Sequence, residues 1–367
     1  MPLIEHSSLP TFRDLRGQGQ TVLTREDARR QDWREVHVGL LNMMPDAAFQ
    51  ATEQQFMRLV GGASQPAHFY VHCITVAGLT RGDATEAYIA RHYEDMTAIR
   101  AGGLDALIVT GANLVNPGLD QQPFYRPLTD VIRWANEHVT SVLCSCLSTH
   151  ALMKFLHGID RQPLPTKKWG VYSHRVVTPR HPLLRGIDAP FDVPHSRYNA
   201  ITRQQFEAAG LSILIESDEA GVHAAVSEDQ IRRVYFQGHP EYDANSLLKE
   251  YKREVVRHFH GERVLPAFPE HYISDDAAAR IARYLERAHH AHAAQAPLPE
   301  FPEAEVAAFL KNTWADTART IFDNWLGLVY QLTNPDRRIP FRAGVDPRRP
   351  LEALTPGPDT NADFPRE

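Results

Sequence analysis

Two of the three cysteines lie in one segment, HVTSVLCSCLSTHALMKFLHG, residues 138–158. TSVLCS predicts a buried strand and LSTHALMKFLHG a helix, so Cys146 lies where the strand gives way to the helix. A helix N-terminus lowers the pKa of a thiol and offers N–H donors to an oxyanion. Cys146 is therefore a candidate nucleophile, although a packed core residue explains this junction equally well. Cys144 and Cys73 lie inside apolar strands and are predicted to be core residues.

A nucleophilic cysteine needs a general base, and QGHPEYD, residues 237–243, supplies a candidate. His239 follows the predicted strand VYFQG, and Glu241 comes two residues later, so the two side chains can face the same way. The strand end places His239 at the same edge of the sheet as Cys146. Gly-His-Pro also suits a surface turn. Together with Cys146, however, the motif favours a Cys-His-Glu triad.

A sheet must position this triad, and apolar runs alternate with helical patterns along the chain. Strands are predicted at residues 37–45, 69–76, 105–111, 140–145, 171–177, 211–217, 222–227 and 232–238. Helices are predicted at residues 50–61, 84–101, 127–138, 147–158, 244–260, 272–296 and 302–331. This alternation indicates an α/β fold with a parallel sheet flanked by helices and with C-terminal helical elements. Residues 1–34 are predicted to be a polar N-terminal arm, 35–335 a single domain and 336–367 a loose tail.

Composition excludes several functions. A formal net charge of −6 gives no basic face for nucleic acid or an anionic membrane. Three cysteines are too few for a disulfide framework, no signal-peptide core is present, and no apolar run approaches the roughly 20 residues of a membrane helix. A cytoplasmic protein is predicted. The AHHAHAA tract (His289, His290, His292) lacks metal-binding geometry, so an exposed helix end is favoured and no metal site is predicted.

The chain resembles the homoserine O-acyltransferases of the MetA type, usually called homoserine O-succinyltransferases, over about residues 36–335. The shared blocks are LLNMMP with TEQQF, LIVTGA, HVTSVLCSCLSTHAL, KKWGVYSH, PHSRYN, GHPEYD and FDNWLGLVYQLTNP. Many separate blocks in one order make the match specific. The resemblance implies a flavodoxin-like, class I glutamine amidotransferase-like fold, a homodimer, and a helical insertion at residues 272–300.

The resemblance also implies the chemistry, a ping-pong acyl transfer in methionine biosynthesis with acyl-CoA as co-substrate and no cofactor. Cys146 takes the acyl group of succinyl-CoA as a thioester and passes it to the hydroxyl group of L-homoserine. At neutral pH that hydroxyl group needs a general base, for which His239 is suited, and Glu241 would hold the imidazole tautomer.

Three further residues match substrate-binding positions of the family: Lys167 in TKKWG, Ser196 in PHSRYN, and Arg253 on the helix after GHPEYD. A guanidinium fork suits a substrate carboxylate. Without the family, Ser196 would be an ordinary loop serine and Arg253 a solvated helix charge. The lysine loop is one residue shorter than usual, so Lys168 is the alternative to Lys167.

The chain departs from the family at two places. Asp46 and Ala47 replace two lysines that usually follow LNxMP, so backbone N–H groups would have to hold the oxyanion. After GA the family commonly has Pro-Leu and then glycine with succinyl donors or glutamate with acetyl donors, whereas this chain has Asn113 and Val115. Val115 brings no repulsive charge, which favours a succinyl donor.

Alternatives to a homoserine O-succinyltransferase stay open. One is a homoserine or serine O-acetyltransferase that uses acetyl-CoA. Another is a glutamine amidotransferase-like amidohydrolase with the same triad, which would release ammonia from glutamine without CoA. The intact triad argues against a non-catalytic ligand-binding relative.

Overall fold

One 11-stranded sheet organises the part of the chain that the computed structural model describes, residues 2–112, 114, 118–188 and 190–354. The strands are β1 (Leu3–Glu5), β2 (Val22–Thr24), β3 (Arg34–Met43), β4 (Ala67–Ile74), β5 (Ala106–Ala112), β6 (Ser141–Ser145), β7 (Gln162–Val176), β8 (Phe191–Ala200), β9 (Ser212–Ser217), β10 (Gly221–Val226) and β11 (Arg233–Phe236). Their order is β2-β1-β4-β3-β5-β6-β11-β10-β9-β7-β8. Neighbouring strands from β2 to β11 are parallel, and those from β11 to β8 are antiparallel.

Helices flank the sheet. They are α1 (Pro10–Gly17), α2 (Arg25–Ala28), α3 (Phe49–Gly61), α4 (Asp83–His92), α5 (Met96–Gly102), α6 (Tyr125–His138), α7 (Leu147–His157), α8 (Arg203–Ala208), α9 (Ser246–Phe259), α10 (Asp275–Ala293), α11 (Glu303–Ala307) and α12 (Ala315–Leu332). Short 3₁₀ helices lie at Asp46–Ala48, Pro182–Leu184 and Pro350–Leu354. Strand β3 lies inside the sheet and contributes side chains to the apolar cores on both faces. Val38 and Leu40 pack in one core, while Leu41 and Met43 pack in the other.

The prediction of an α/β sheet flanked by helices is confirmed, but the sheet is mixed rather than wholly parallel. Strand β8, which contains PHSRYN, was not predicted, and β7 begins nine residues before the predicted strand at 171–177. Both strands carry polar residues and half-exposed positions, so they lack the continuous apolar runs that mark strands buried on both faces.

Two predicted helices are each divided. Residues 84–101 form α4 and α5, because Tyr93 is extended and the Asp95 side chain caps a new helix by accepting from the Thr97 N–H group. Residues 302–331 form α11 and α12, which begins after the buried Trp314. The helix predicted at 272–296 is confirmed as α10.

The described parts of the predicted N-terminal arm and C-terminal tail also pack onto the body. Residues 1–34, for which only a polar arm is predicted, contribute β1, β2, α1 and α2, because three-residue strands are too short to show a period. Of the predicted tail, Phe341 and Val345 are buried, and residues 355–367 lie outside the described residues. Among the described helices none is long and apolar enough to cross a membrane.

Candidate active site

The candidate nucleophile lies on a sharp turn between β6 and α7. Cys146 has φ 55° and ψ −110°, a backbone conformation that residues other than glycine rarely adopt. Its N–H group donates to the carbonyl of Phe236, 2.8 Å away, so the turn is held to the end of β11. The side chain is only partly buried. This strand–turn–helix arrangement matches the nucleophile elbow of α/β enzymes.

The candidate base comes from the adjacent strand. β11 pairs in parallel with β6, and His239 follows its last residue by three positions. The Nδ1 atom of His239 lies 2.8 Å from Oε1 of Glu241, and both side chains are buried. With Nδ1 occupied, Nε2 is the nitrogen left to act on Cys146. The structure thus brings the three predicted catalytic residues to one sheet edge.

The charges of the triad are coupled. Burial opposes the imidazolium, but the negative charges of Cys146 and Glu241 outweigh it and raise the pKa of His239 well above its usual value. The ring of His239 also stacks on Tyr242, and the hydroxyl group of Ser145 lies 3.3 Å from Oε1 of Glu241. These contacts hold the imidazole of His239 in a fixed orientation.

The other two cysteines have no such environment. Cys144 is fully buried in β6, and burial raises its pKa to about 12. Cys73 is buried in β4, where burial likewise raises the pKa of its thiol. The prediction that both are core residues is confirmed.

A cavity of about 660 Å³ opens above the triad. Cys146 and His239 line it, as do the three predicted substrate-binding residues, Lys167, Ser196 and Arg253. Lys167 and Ser196 come from the antiparallel strands β7 and β8, and Arg253 from α9. Val115 and Asn113, predicted to bear on the choice of acyl group, lie outside the described residues.

A carboxylate that the sequence analysis did not single out connects these residues. Glu250 on α9 accepts hydrogen bonds from Ser196 at 2.6 Å and from Tyr242 at 2.9 Å, and pairs with Lys167 at 3.2 Å. Burial raises the pKa of Glu250, but the Lys167 charge and these hydrogen bonds outweigh burial and lower it below the usual value. Glu250 lies three residues before Arg253, so the two share one helix face, and this spacing could have indicated that Glu250 belongs to the site.

The structure distinguishes the two candidate lysines. The ammonium of Lys167 lies over the Trp169 ring, 4.0 Å from its centroid, and lines the cavity. Lys168 lies instead over the ring of Tyr172. Neighbouring residues of a strand point to opposite faces, which separates the two.

Two arginines lie near the sulfur. Burial lowers the pKa of both Arg161 and Arg197, that of Arg197 to about 10, and the charge of Cys146 partly offsets this. Both guanidinium groups line the cavity within electrostatic range of Cys146. Arg197 donates to the backbone carbonyls of Asn199 and Ala220. Arg197 lies in the PHSRYN block, where the sequence analysis selected only Ser196, and no quoted block contains Arg161.

Asp46 and Ala47, which stand where the family usually has two lysines, have different surroundings. Ala47 lines the cavity, whereas Asp46 accepts from the Gly82 N–H group at 2.8 Å. Leu147 begins α7 directly after Cys146, and the first N–H groups of a helix have no acceptor within it. Gly111 lies beside them: a Cβ at that position would be 3.7 Å from the Cys146 Cβ and 3.9 Å from the Leu147 nitrogen. Backbone N–H groups are thus available for an oxyanion.

The family model that matches this chain and its curated relatives carry the same description. The sequence model of the homoserine O-succinyltransferase family matches residues 2–335. A homoserine O-succinyltransferase of Methylococcus capsulatus is 56% identical over 352 residues, which cover 96% of this chain and 99% of that protein. Relatives with the same description from Thioalkalivibrio nitratireducens and Nitrosococcus oceani are 54% and 52% identical, covering 96% and 97% of this chain and 99% and 100% of those proteins.

Among solved structures, a glutamine amido transferase from Methylobacillus flagellatus is similar with a TM-score of 0.45 and 13% sequence identity, covering 81% of this chain and 95% of that one. The family match extends over most of the sequence, and the relatives are similar over nearly their whole length. The chain therefore belongs to the homoserine O-succinyltransferase family.

Proposed function

We propose that this chain transfers the succinyl group of succinyl-CoA to the hydroxyl group of L-homoserine through a thioester on Cys146, a step of methionine biosynthesis. The observation that supports the mechanism is the Cys-His-Glu triad, in which His239 lies between Cys146 and Glu241, in a chain of this family. The name of the relatives supplies the acyl group and the acceptor.

In the first half-reaction the Cys146 thiolate attacks the thioester carbonyl of the donor. The carbonyl oxygen gains negative charge, which the N–H groups at the start of α7 stabilise. The C–S bond to CoA then breaks, and His239 supplies the proton that the leaving thiolate takes up. One thioester replaces another, so this step is nearly balanced in energy.

In the second half-reaction the acceptor hydroxyl group attacks the acyl-enzyme. His239 takes the hydroxyl proton as the new ester bond forms and the bond to Cys146 breaks. An amino acid also presents a carboxylate and an ammonium group. Arg253 suits the carboxylate, and Glu250 suits the ammonium because it is a lining carboxylate within electrostatic range of His239.

The cations near the nucleophile support a succinyl donor over an acetyl donor. Succinate ends in a free carboxylate, and Arg161 and Arg197 place positive charge within range of Cys146. Arg197 is buried, whereas Arg161 is partly exposed where it lines the cavity, so we assign the succinyl carboxylate to Arg161.

The thioester can be tested by intact mass. The protein is incubated with succinyl-CoA without an acceptor, and we expect a gain of one succinyl group that peptide mapping places on Cys146. Cys146→Ala should remain unlabelled, while Cys144→Ala, two residues earlier in β6, should label normally. Labelling that persists in Cys146→Ala would overturn the mechanism.

The same assay separates the competing functions. Faster labelling by acetyl-CoA would indicate an acetyltransferase, and removal of the label by serine rather than homoserine would change the acceptor. Ammonia release from glutamine, with no labelling by either donor, would indicate an amidohydrolase.

We also propose a cytoplasmic homodimer. The family resemblance supports the dimer, and three unpaired cysteines support a reducing compartment. Light scattering coupled to size exclusion should give twice the mass of the chain, and a monomer at micromolar concentration would contradict the dimer.

A further inference from the structure

A second cluster of chemically capable side chains lies at the N-terminal segment. His6 follows β1, His72 is on β4, and Glu94 lies between α4 and α5. One potential ligand atom from each lies within 4.8 Å of the other two. We propose that these three residues form a binding site for a divalent transition metal, with Zn²⁺ as the best-suited ion. This site is independent of the proposed function.

The hydrogen bonding around the His6 ring carries the argument. Its Nδ1 atom lies 3.0 Å from the carbonyl oxygen of Ile4, which can only accept, so Nδ1 bears the proton. In the neutral ring, Nε2 is then a bare lone pair. It is buried without a hydrogen-bond partner among the described residues, and it lies 3.4 Å from Oε1 of Glu94. A lone pair facing a carboxylate oxygen in a buried place is unfavourable unless a proton or a metal ion lies between them, and we propose the metal ion.

His72 completes the set. Its Nδ1 atom lies 2.7 Å from the same Oε1 atom of Glu94, so both imidazoles converge on one carboxylate oxygen. A neutral imidazole is the form that binds metal. Two imidazoles and one carboxylate form a ligand set that zinc accepts, with water in the remaining position.

A second layer of residues supports this arrangement. The Nε2 atom of His72 lies 2.8 Å from Nδ1 of His37, and Nε2 of His37 lies 3.3 Å from Oε2 of Glu35. If His72 binds metal through Nδ1, its Nε2–H group donates to His37, which in turn donates to Glu35. A carboxylate at the end of such a chain orients metal-bound imidazoles in proteins. Arg337 can only donate, so in this arrangement it would give up its contact with Nε2 of His37 and pair with Glu35 alone.

Access and location fit a structural role. The side chain of Glu94 is about one-third exposed (33%), whereas that of His6 is 4% exposed, so an ion could enter from the Glu94 side and stay hydrated there. A metal at this place would tie the segment after β1 to β4 and to the α4–α5 connection. It would fasten the N-terminal segment to the edge of the sheet.

The test is metal binding by the full chain. Protein of the Cys146→Ala variant, which removes the active-site thiol, is freed of metal with a chelator and titrated with Zn²⁺. We expect one bound equivalent and a higher Tm with zinc. The His6→Gln and Glu94→Gln variants should each lose that equivalent or bind at least tenfold more weakly, with unchanged circular dichroism. Glu35→Gln should weaken binding by about tenfold.

The control is the exposed histidine tract on α10. A variant with His289, His290 and His292 all changed to Gln should retain the bound equivalent. The metal site is wrong if the Cys146→Ala protein with His6 and Glu94 unchanged binds no zinc. It is also wrong if the His6→Gln and Glu94→Gln variants both retain the bound equivalent of zinc. If no zinc binds, His6 and Glu94 form an ion pair instead.

Discussion

The rings of His239 and Tyr242 lie stacked, with their centroids 4.3 Å apart and their planes inclined by 17°. Tyr242 also donates its hydroxyl group to Glu250. One residue therefore joins the general base to the carboxylate that we assign to the acceptor ammonium. Its two contacts can be removed separately.

Tyr242→Phe keeps the stacked ring and loses only the hydrogen bond to Glu250. We expect the rate of acyl-enzyme formation to stay within about twofold, and the KM for homoserine to rise by roughly 5-fold to 10-fold, the value of about one hydrogen bond. Tyr242→Ala removes both contacts and should also slow acylation. Stopped-flow acylation and steady-state kinetics measure the two effects. Equal acylation rates for Phe and Ala would mean that stacking does not orient His239.

Glu241→Gln preserves the shape of the side chain but removes its charge. The pKa of His239 should fall, and the imidazole would lose the acceptor that fixes its tautomer. We expect kcat to fall on the order of 10²-fold to 10⁴-fold. The rate of Cys146 alkylation by iodoacetamide, followed against pH, reports the thiolate directly. An unchanged alkylation profile would show that Glu241 does not affect the reactivity of the Cys146 thiol.

Arg161 and Arg253 are assigned to different substrates, which gives paired variants. Arg161→Gln should raise the KM for succinyl-CoA on the order of 10-fold to 100-fold, as expected for the loss of a charged hydrogen bond, and should affect acetyl-CoA little. Arg253→Gln should raise the KM for homoserine by a similar factor and leave acylation unchanged. If the two variants affect the same substrate, one of the assignments is wrong.

Gly111→Ala tests the space beside the nucleophile. The added methyl group would meet Met44, Cys146 and Leu147 only at ordinary contact distances of 3.5 to 3.9 Å, so the fold should tolerate it. The same methyl group would occupy the region where the oxyanion forms. We expect Tm to change little and acylation to slow by about 10²-fold. Normal acylation would place the oxyanion elsewhere.

Buried histidines predict acid sensitivity. Burial lowers the pKa of His174 and His181 to about 4, and that of His150 to about 3, from 6.5 in the unfolded chain. Between pH 6.5 and 4 the unfolded chain binds protons that the folded chain does not. The free energy of unfolding should therefore fall with falling pH, by about 1.4 kcal/mol per pH unit for each such histidine.

Urea unfolding across this pH range measures that slope. The raised pKa of His239 acts above pH 6.5 and so lies outside the window. A flat stability profile between pH 6.5 and 4 would show that these imidazoles take up protons without unfolding.

The triad was predictable because strand ends define where its residues lie. Apolar runs locate β6 and β11, and their parallel pairing brings Cys146 and His239 together. The partners of Glu250 were not predictable, because they depend on the register of β7 and β8, where Trp169 pairs with Ser196. That register is set by antiparallel pairing of polar strands, which leaves no periodic signal. The His6–His72–Glu94 cluster likewise joins segments far apart in sequence.

The hydrogen bond from the Cys146 N–H group to the Phe236 carbonyl ties the nucleophile to the strand that carries its base. Both strands lie inside the sheet, with neighbours on either side, and such strands open only when the whole domain unfolds. Heat should therefore inactivate the acylation step in the same cooperative transition that melts the sheet. The enzyme would keep a working thioester site up to the temperature at which it ceases to be folded.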